Sequence, residues 1–112
     1  MSTLDSAEFK EIEKYAHESG SYTRVLEIIE PLARLGNAEA QCYLATAYHL
    51  GLGVIQDALI AIKWYEISSH QGYALASHNL STLYATGTSN FAENPKLAAH
   101  WQAVAVSQGF PQ

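Results

Sequence analysis

Residues 36–72 read GNAEAQCYLATAYHLGLGVIQDALIAIKWYEISSHQG, and residues 72–109 read GYALASHNLSTLYATGTSNFAENPKLAAHWQAVAVSQG. Laid over each other, the two stretches agree. Gly36, Ala38, Ala40, Leu44, Tyr48 and Gly51 recur 36 positions later as Gly72, Ala74, Ala76, Leu80, Tyr84 and Gly87. Beyond the next loop the offset becomes 37, pairing Ala61 with Ala98, Trp64 with Trp101, Gln71 with Gln108 and Gly72 with Gly109. A period of this length, with one residue inserted between Gly87 and Pro95, is the mark of a stacked repeat rather than of a single folded core.

Each unit reads as two helices. Residues 38–50 carry Ala40, Leu44, Ala47 and Tyr48 at helical spacing. Gly51 and Gly53 end that helix, and Asp57 is placed to cap a second one over 58–71, with Leu59, Ile62, Trp64 or Tyr65, and Ile67 on its buried stripe. The second unit repeats the plan over 74–86 and 95–108, where Asn94-Pro95 is a start signal. Residues 5–35 form a divergent first hairpin, with helices over 5–18 and 22–35. Phe9, Ile12, Tyr15 and Ala16 face inward on the first, and Val25, Ile28, Ile29 and Leu32 on the second. Pro31 removes a backbone donor and is expected to kink or split that second helix. The alanines at 38, 40, 45, 47, 61, 74, 76, 98 and 99 let neighbouring helices approach closely. Three hairpins, at 5–35, 36–72 and 73–109, are about the number a stack needs to bury its apolar faces.

The composition of the 112-residue chain limits what this domain does. Apolar residues are 48% and charged residues 15%, against about 25% charged in typical domains. Six Lys and Arg cannot build the basic patch that nucleic acid requires. The single cysteine, Cys42, excludes a disulfide framework. The N-terminal MSTLDSAEFKEIEKY has no apolar core and no run approaches the ~18 residues of a membrane span, so the cytoplasm is the expected compartment, without membrane contact. Net charge is −5, of which −4 falls within residues 1–39. Glu8 and Glu11 lie in that acidic stretch, which is either a solvated helix face or a docking surface for a basic partner.

No residue set points to chemistry. His17, His49, His70, His78 and His100 form no HxxH or HExxH pattern and read as surface residues, so no metal or cofactor is expected. Cys42 reads as half-buried packing, since no nearby histidine or cation would lower its pKa. Glu8, Glu11 and Glu13 lack the burial that would split their titrations. Trp64 and Trp101, like Tyr48 and Tyr84, sit at equivalent repeat positions and read as core. The chain is not expected to be an enzyme.

The pattern Ala38, Ala40, Leu44, Tyr48, then the turn Gly51, Gly53, Val54, Asp57, then Ala61, Trp64, Tyr65 and Gly72 resembles a Sel-one-like repeat, a relative of the tetratricopeptide repeat. The second unit keeps Ala74, Ala76, Leu80, Tyr84, Gly87, Ala98, Trp101 and Gly109 but departs at Thr88-Ser89-Asn90-Phe91. The resemblance implies an all-α, α/α right-handed superhelix whose concave side is lined by the first helix of each hairpin. It also implies a protein-binding role, since bacterial members include adaptors, regulators and immunity proteins that neutralise toxins. On that architecture the partner-binding stripe is Glu39, Tyr43, Thr46 and His49, with repeat mates Leu75, Asn79, Thr82 and Ala85. Glu8 and Glu11 add acid at one end. The final helix carries Leu97, Trp101, Val104, Ala105 and Val106, pointing several ways, so a homodimer through the C-terminal end is the alternative: a self-assembling scaffold or regulatory subunit.

Overall fold

Asn37, Asp57 and Asn94 begin three helices by one device. In the computed structural model, which describes residues 22–111, the Ala40 amide donates to Asn37 Oδ1 at 2.9 Å, Ile60 to Asp57 Oδ1 at 3.1 Å and Leu97 to Asn94 Oδ1 at 3.1 Å. Each bond satisfies one of the amides that a helix start leaves open. Pro95 follows Asn94 at the first helical position, where a missing N–H costs nothing. The elements are α1 (Tyr22–Arg34), α2 (Ala38–Leu50), α3 (Ala58–His70), α4 (Ala74–Thr86) and α5 (Pro95–Ser107). Among the described residues the only β pairing is an isolated bridge, Thr88 with Phe91.

The result is an all-α helical repeat. Each helix packs on the next, and α2 also touches α4, so α2–α3 and α4–α5 form two stacked hairpins with α1 against α2. Of the hairpin expected over 5–35, only the second helix falls among the described residues; the 5–18 helix, Glu8 and Glu11 lie outside them. Pro31 neither splits nor ends α1, which runs through it to Arg34. It sits in the last turn, where the helix has little length left to disrupt, and both Pro31 and Glu27, whose carbonyl loses its helical donor, are exposed residues.

Small residues set the helix spacing. Ala40, Ala45, Ala61, Ala76 and Ala105 have no exposed surface. Val25, Ile29, Ala33 and Leu44 fill the space between α1 and α2, while Tyr65, Leu80, Leu83 and Tyr84 fill the larger cluster beyond, with Tyr48 and Trp64 bordering both. Ile28 and Leu32 are only half-buried. Two expected core positions point outward. Leu59 is 69% exposed, because Ala58 beside it takes the inward position at the start of α3. Ala99 on α5 is exposed as well. Between Trp64 and Tyr65, it is Tyr65 that is fully buried and Trp64 that is half-buried.

The hairpins are also fastened by repeated polar bonds. Gln71 Nε2 donates to Gly36 O at 3.0 Å and Gln41 Oε1 at 2.8 Å, and Gln41 Nε2 donates to Ala33 O at 3.1 Å. One repeat later Gln108 Nε2 donates to Ser69 O at 2.9 Å, and Gln108 Oε1 accepts from Ser77 Oγ. Because the Ser77 proton is committed there, Ser69 Oγ donates to Ser77 at 2.6 Å. The loops also return alike: Asp57 N donates to Tyr48 O at 2.9 Å, and Asn94 N to Tyr84 O at 2.7 Å, despite the inserted residue. That insertion is taken up at Gly87, at φ +65°, where a Cβ would stand 2.5 Å from Phe91 O. Phe91 folds back onto the core beside Tyr84, ring centroids 6.1 Å apart.

Candidate functional site

The stripe on α2 and its counterpart on α4 meet in one groove. A depression of about 350 Å³ is lined by Glu39, Cys42, Tyr43, Thr46, Tyr73, Leu75 and Asn79. A second, of about 200 Å³, is lined by Thr46, His49, Leu50, Tyr65, Asn79 and Thr82. Thr46 and Asn79 border both, so the two depressions adjoin. All six residues expected as contacts, Glu39, Tyr43, Thr46, His49, Asn79 and Thr82, lie along it. Ala85 and Thr86 are exposed beyond its end. Cys42, Leu50, Tyr65 and Tyr73 belong to the lining without having been expected there. Cys42 is three residues from Glu39 and four from Thr46, so the helical period alone places it on the same face.

The second depression has a hydrogen-bonded wall. Thr46 Oγ1 donates to Cys42 O at 2.9 Å, and the Tyr65 hydroxyl lies 3.0 Å from Thr46 Oγ1 and 3.1 Å from His49 Nδ1. Thr46 has one proton and has used it, so Tyr65 donates to Thr46 and His49 Nδ1–H donates to Tyr65. The proton order fixes the imidazole as the Nδ1–H tautomer. His49 is therefore no surface residue: it is 9% exposed, its ring edge-on to Tyr65 at 5.9 Å, and burial lowers its pKa below the ordinary value. Burial likewise raises the Tyr65 phenol, against a smaller opposing effect of its bond with Thr46.

Around the larger depression the titrations shift upward together. Burial pushes the Cys42 thiol up to about 12, opposed by an Asn79 N–H 3.7 Å from Sγ and reinforced by Glu39. Burial, then Glu39, Cys42 and Tyr43, push the Tyr73 phenol up to about 12. Cys42 is thus buried, where half-burial was expected, and is held as a neutral thiol. The remaining described histidines are structural or exposed. His78 stacks on Phe110 at 4.1 Å and its Nδ1 donates to Gln102 Oε1 at 3.0 Å; His100 packs edge-on to Trp101; His70 is exposed. Among the described residues no group of three or more His, Cys, Asp or Glu side chains is arranged to hold a metal ion. No described helix is long and apolar enough to cross a membrane. What the groove offers is shape, aromatic surface and hydrogen-bonding groups.

The Sel1 repeat model matches residues 38–73 and 74–110, which are the two hairpins. Chitin synthase regulatory factor 3 of Schizosaccharomyces pombe is 32% identical over 93 residues, 81% of this chain, and the chain spans 10% of that relative's length. Among solved structures, a protective antigen of uropathogenic Escherichia coli with an SLR fold superposes with a TM-score of 0.78 at 27% identity, covering 92% of this chain and 23% of that one. A Sel1 repeat protein from Oxalobacter formigenes gives 0.73 at 29% identity, covering 96% of this chain and 41% of that one. Sel1 repeat proteins are generally protein-interaction modules, and their fold is typically a non-catalytic scaffold. With both hairpins matched, the chain belongs to the Sel1 repeat family.

Proposed function

We propose that this chain is a non-catalytic protein-interaction module that docks one partner along the groove between α2 and α4. The observation that carries the reading is that the two depressions adjoin, sharing Thr46 and Asn79, with Glu39, Tyr43, His49 and Thr82 spread along them. Tyrosine, threonine and asparagine supply contact area and hydrogen bonds at low entropic cost. In its specific form the module is a cytoplasmic adaptor or toxin-neutralising immunity protein. Its basic partner is steered by the acidic stretch that includes Glu8 and Glu11. The regulatory name of the fission-yeast relative suits a role exerted by binding. The test is affinity capture from native lysate with the wild type and with Asn79→Arg and Thr82→Arg. A one-to-one partner lost by both variants, with helicity unchanged, is the expected result. A partner retained by both, or no stoichiometric partner at all, refutes it.

A second reading rests on α5. Ala99 and Ala103 are exposed and Val106 is partly so, whereas their α3 counterparts Ile62 and Glu66 are half-buried and Ser69 is buried under α4. This face supports a homodimer through the C-terminal repeat, acting as a scaffold or regulatory subunit. Light scattering on a size-exclusion column tests it, and a monomer independent of concentration rules it out.

A further inference from the structure

The smaller depression holds a polar atom that the fold leaves unused. It is lined by Thr46, His49, Leu50, Tyr65, Asn79 and Thr82, and its surface is almost entirely apolar. The hydroxyl protons around it are spent: Thr46 donates to Cys42 O, Tyr65 to Thr46, and Thr82 Oγ1 to His78 O at 3.2 Å. Asn79 directs its amide at Cys42 Sγ, 3.7 Å away. His49 differs. Its Nδ1–H is given to Tyr65 and burial favours the neutral ring, so Nε2 carries a bare lone pair. Among the described residues no buried polar side-chain atom lacks a partner, and Nε2 has none. It therefore belongs to the 9% of His49 that stays open, and the depression is open space that His49 borders. The volume, about 200 Å³, is below the roughly 300–1,000 Å³ of small-ligand pockets and is room for one large side chain.

A side chain seated here has to bring apolar bulk and one hydrogen-bond donor. Lysine and arginine would bury a charge, and no carboxylate lines the depression to meet it. Serine and threonine are too short to cover the apolar walls. A tyrosine hydroxyl brings an oxygen that wants a donor of its own, and the lining hydroxyls have none left. Indole has one N–H, no acceptor and a broad apolar body. We propose that this depression is a subsite for one tryptophan side chain of the partner, its indole N–H donated to His49 Nε2 and its rings packed along Leu50 between Thr46 and Thr82. The proposal rests on the docking reading above and names the residue that anchors the partner in it. Tryptophan is among the side chains enriched where a few residues carry most of an interface's energy.

The probes are N-acetyl-tryptophan methylamide and its indole N-methyl analogue, which keeps the rings and loses the donor. Each is titrated into the full chain at neutral pH and followed in NMR by amide shifts and by the His49 ring nitrogens. The tryptophan probe is expected to move Thr46, Leu50, Asn79 and Thr82 as one group and to shift His49 Nε2 upfield, as a nitrogen accepting a new hydrogen bond. It should bind about 5- to 10-fold tighter than the methylated probe, whose bulk would cover Nε2 without giving it a donor. Leu50→Ala, at an exposed position, should weaken both probes and leave their ratio unchanged. Equal affinity for the two probes, an unmoved Nε2 signal, shifts centred elsewhere, Leu50→Ala without effect, or tighter binding of N-acetyl-tyrosine methylamide overturns the proposal. The two readings fail separately. If the tryptophan probe shows no preference but Asn79→Arg and Thr82→Arg still abolish partner capture, the subsite is wrong and the docking groove stands. If the probe binds as expected while both variants leave capture intact, the subsite stands and the docking groove is wrong.

Discussion

Replacing Tyr65 by phenylalanine isolates the hydrogen-bonded wall of the groove. The ring is fully buried and keeps its packing in the variant, so the change is confined to one hydroxyl. That hydroxyl accepts from His49 Nδ1 at 3.1 Å and donates to Thr46 Oγ1 at 3.0 Å. Two neutral hydrogen bonds contribute about 0.5–1.5 kcal/mol each, and a buried donor left without an acceptor costs about 1–3 kcal/mol. Here the stranded donor is the Nδ1–H of a nearly buried imidazole. Thr46 loses less, because its own proton still reaches Cys42 O and its side chain borders the groove. A small gain from burying a less polar ring offsets part of the sum, leaving a net cost of about 2 kcal/mol. At about 4–8 °C per kcal/mol for a domain near this size, melting should fall by roughly 8 °C or more. Urea unfolding followed by circular dichroism should show a lower midpoint at unchanged slope. The His49 Nδ1 proton, slow to exchange in the wild type, should become fast in the variant. A stability change under about 0.5 kcal/mol, with the Nδ1 proton still protected, would refute both the bond order and the claim that His49 is held from inside.

Two further outcomes follow from the same geometry. Because burial lowers the folded-state pKa of His49 below its unfolded value, the unfolded chain binds the proton more readily. Stability is therefore complete above the ordinary histidine range and declines as pH falls from about 6.5 through the lowered value. His49→Gln should flatten that decline, and a pH profile of urea midpoints unchanged by the substitution contradicts it. Gly87→Ala and Gly72→Ala both place an L-residue at positive φ, at about 1–2 kcal/mol each, but their surroundings differ. At Gly87 the new methyl meets the backbone at Phe91 and Glu93, and at Gly72 nothing lies within 4 Å. Gly87→Ala should therefore cost about 3 kcal/mol or more in total, and equal unfolding midpoints for the two variants would contradict the tight return of that loop.

The repeat was legible because its punctuation is local. Asn37, Asp57 and Asn94 cap helices with their own side chains three residues on, so the starts of α2, α3 and α5 can be read from a few adjacent letters. Part of the groove lining was legible for a related reason, since one helical stripe and its copy 36 residues later supply Glu39, Tyr43, Thr46, His49, Leu75, Asn79 and Thr82. What was misread depends on contacts between distant residues. His49 looks like a polar residue near a helix end until Tyr65, 16 positions away on another helix, gives its ring a partner. Leu59 looks like core until Ala58 is seen to fill the inward position instead. Pro31 looks like a helix breaker until the helix is seen to end three residues later, with Pro31 in its last turn on an exposed position. Tyr73 follows the closing Gly72 and precedes α4, so no helical period places it on the groove.

The glutamine bonds between hairpins bear on how such a chain can lengthen. Gln71 holds Gly36 O and the Gln41 side chain within its own unit, and Gln41 reaches back to Ala33 O; Gln108 holds Ser77 of its own unit and reaches back to Ser69 O. At both described joints a glutamine of the later unit holds a main-chain oxygen of the earlier one. To that bond the earlier unit contributes a carbonyl, which side-chain substitution leaves in place, and at the second joint it adds the Ser69 hydroxyl, which donates to Ser77. A duplicated segment arrives with its own glutamine hook, and for that bond the unit it lands on needs no matching change. Growth by gene duplication would meet few incompatible joints, and whole units could be inserted or lost while the sequences on either side drift.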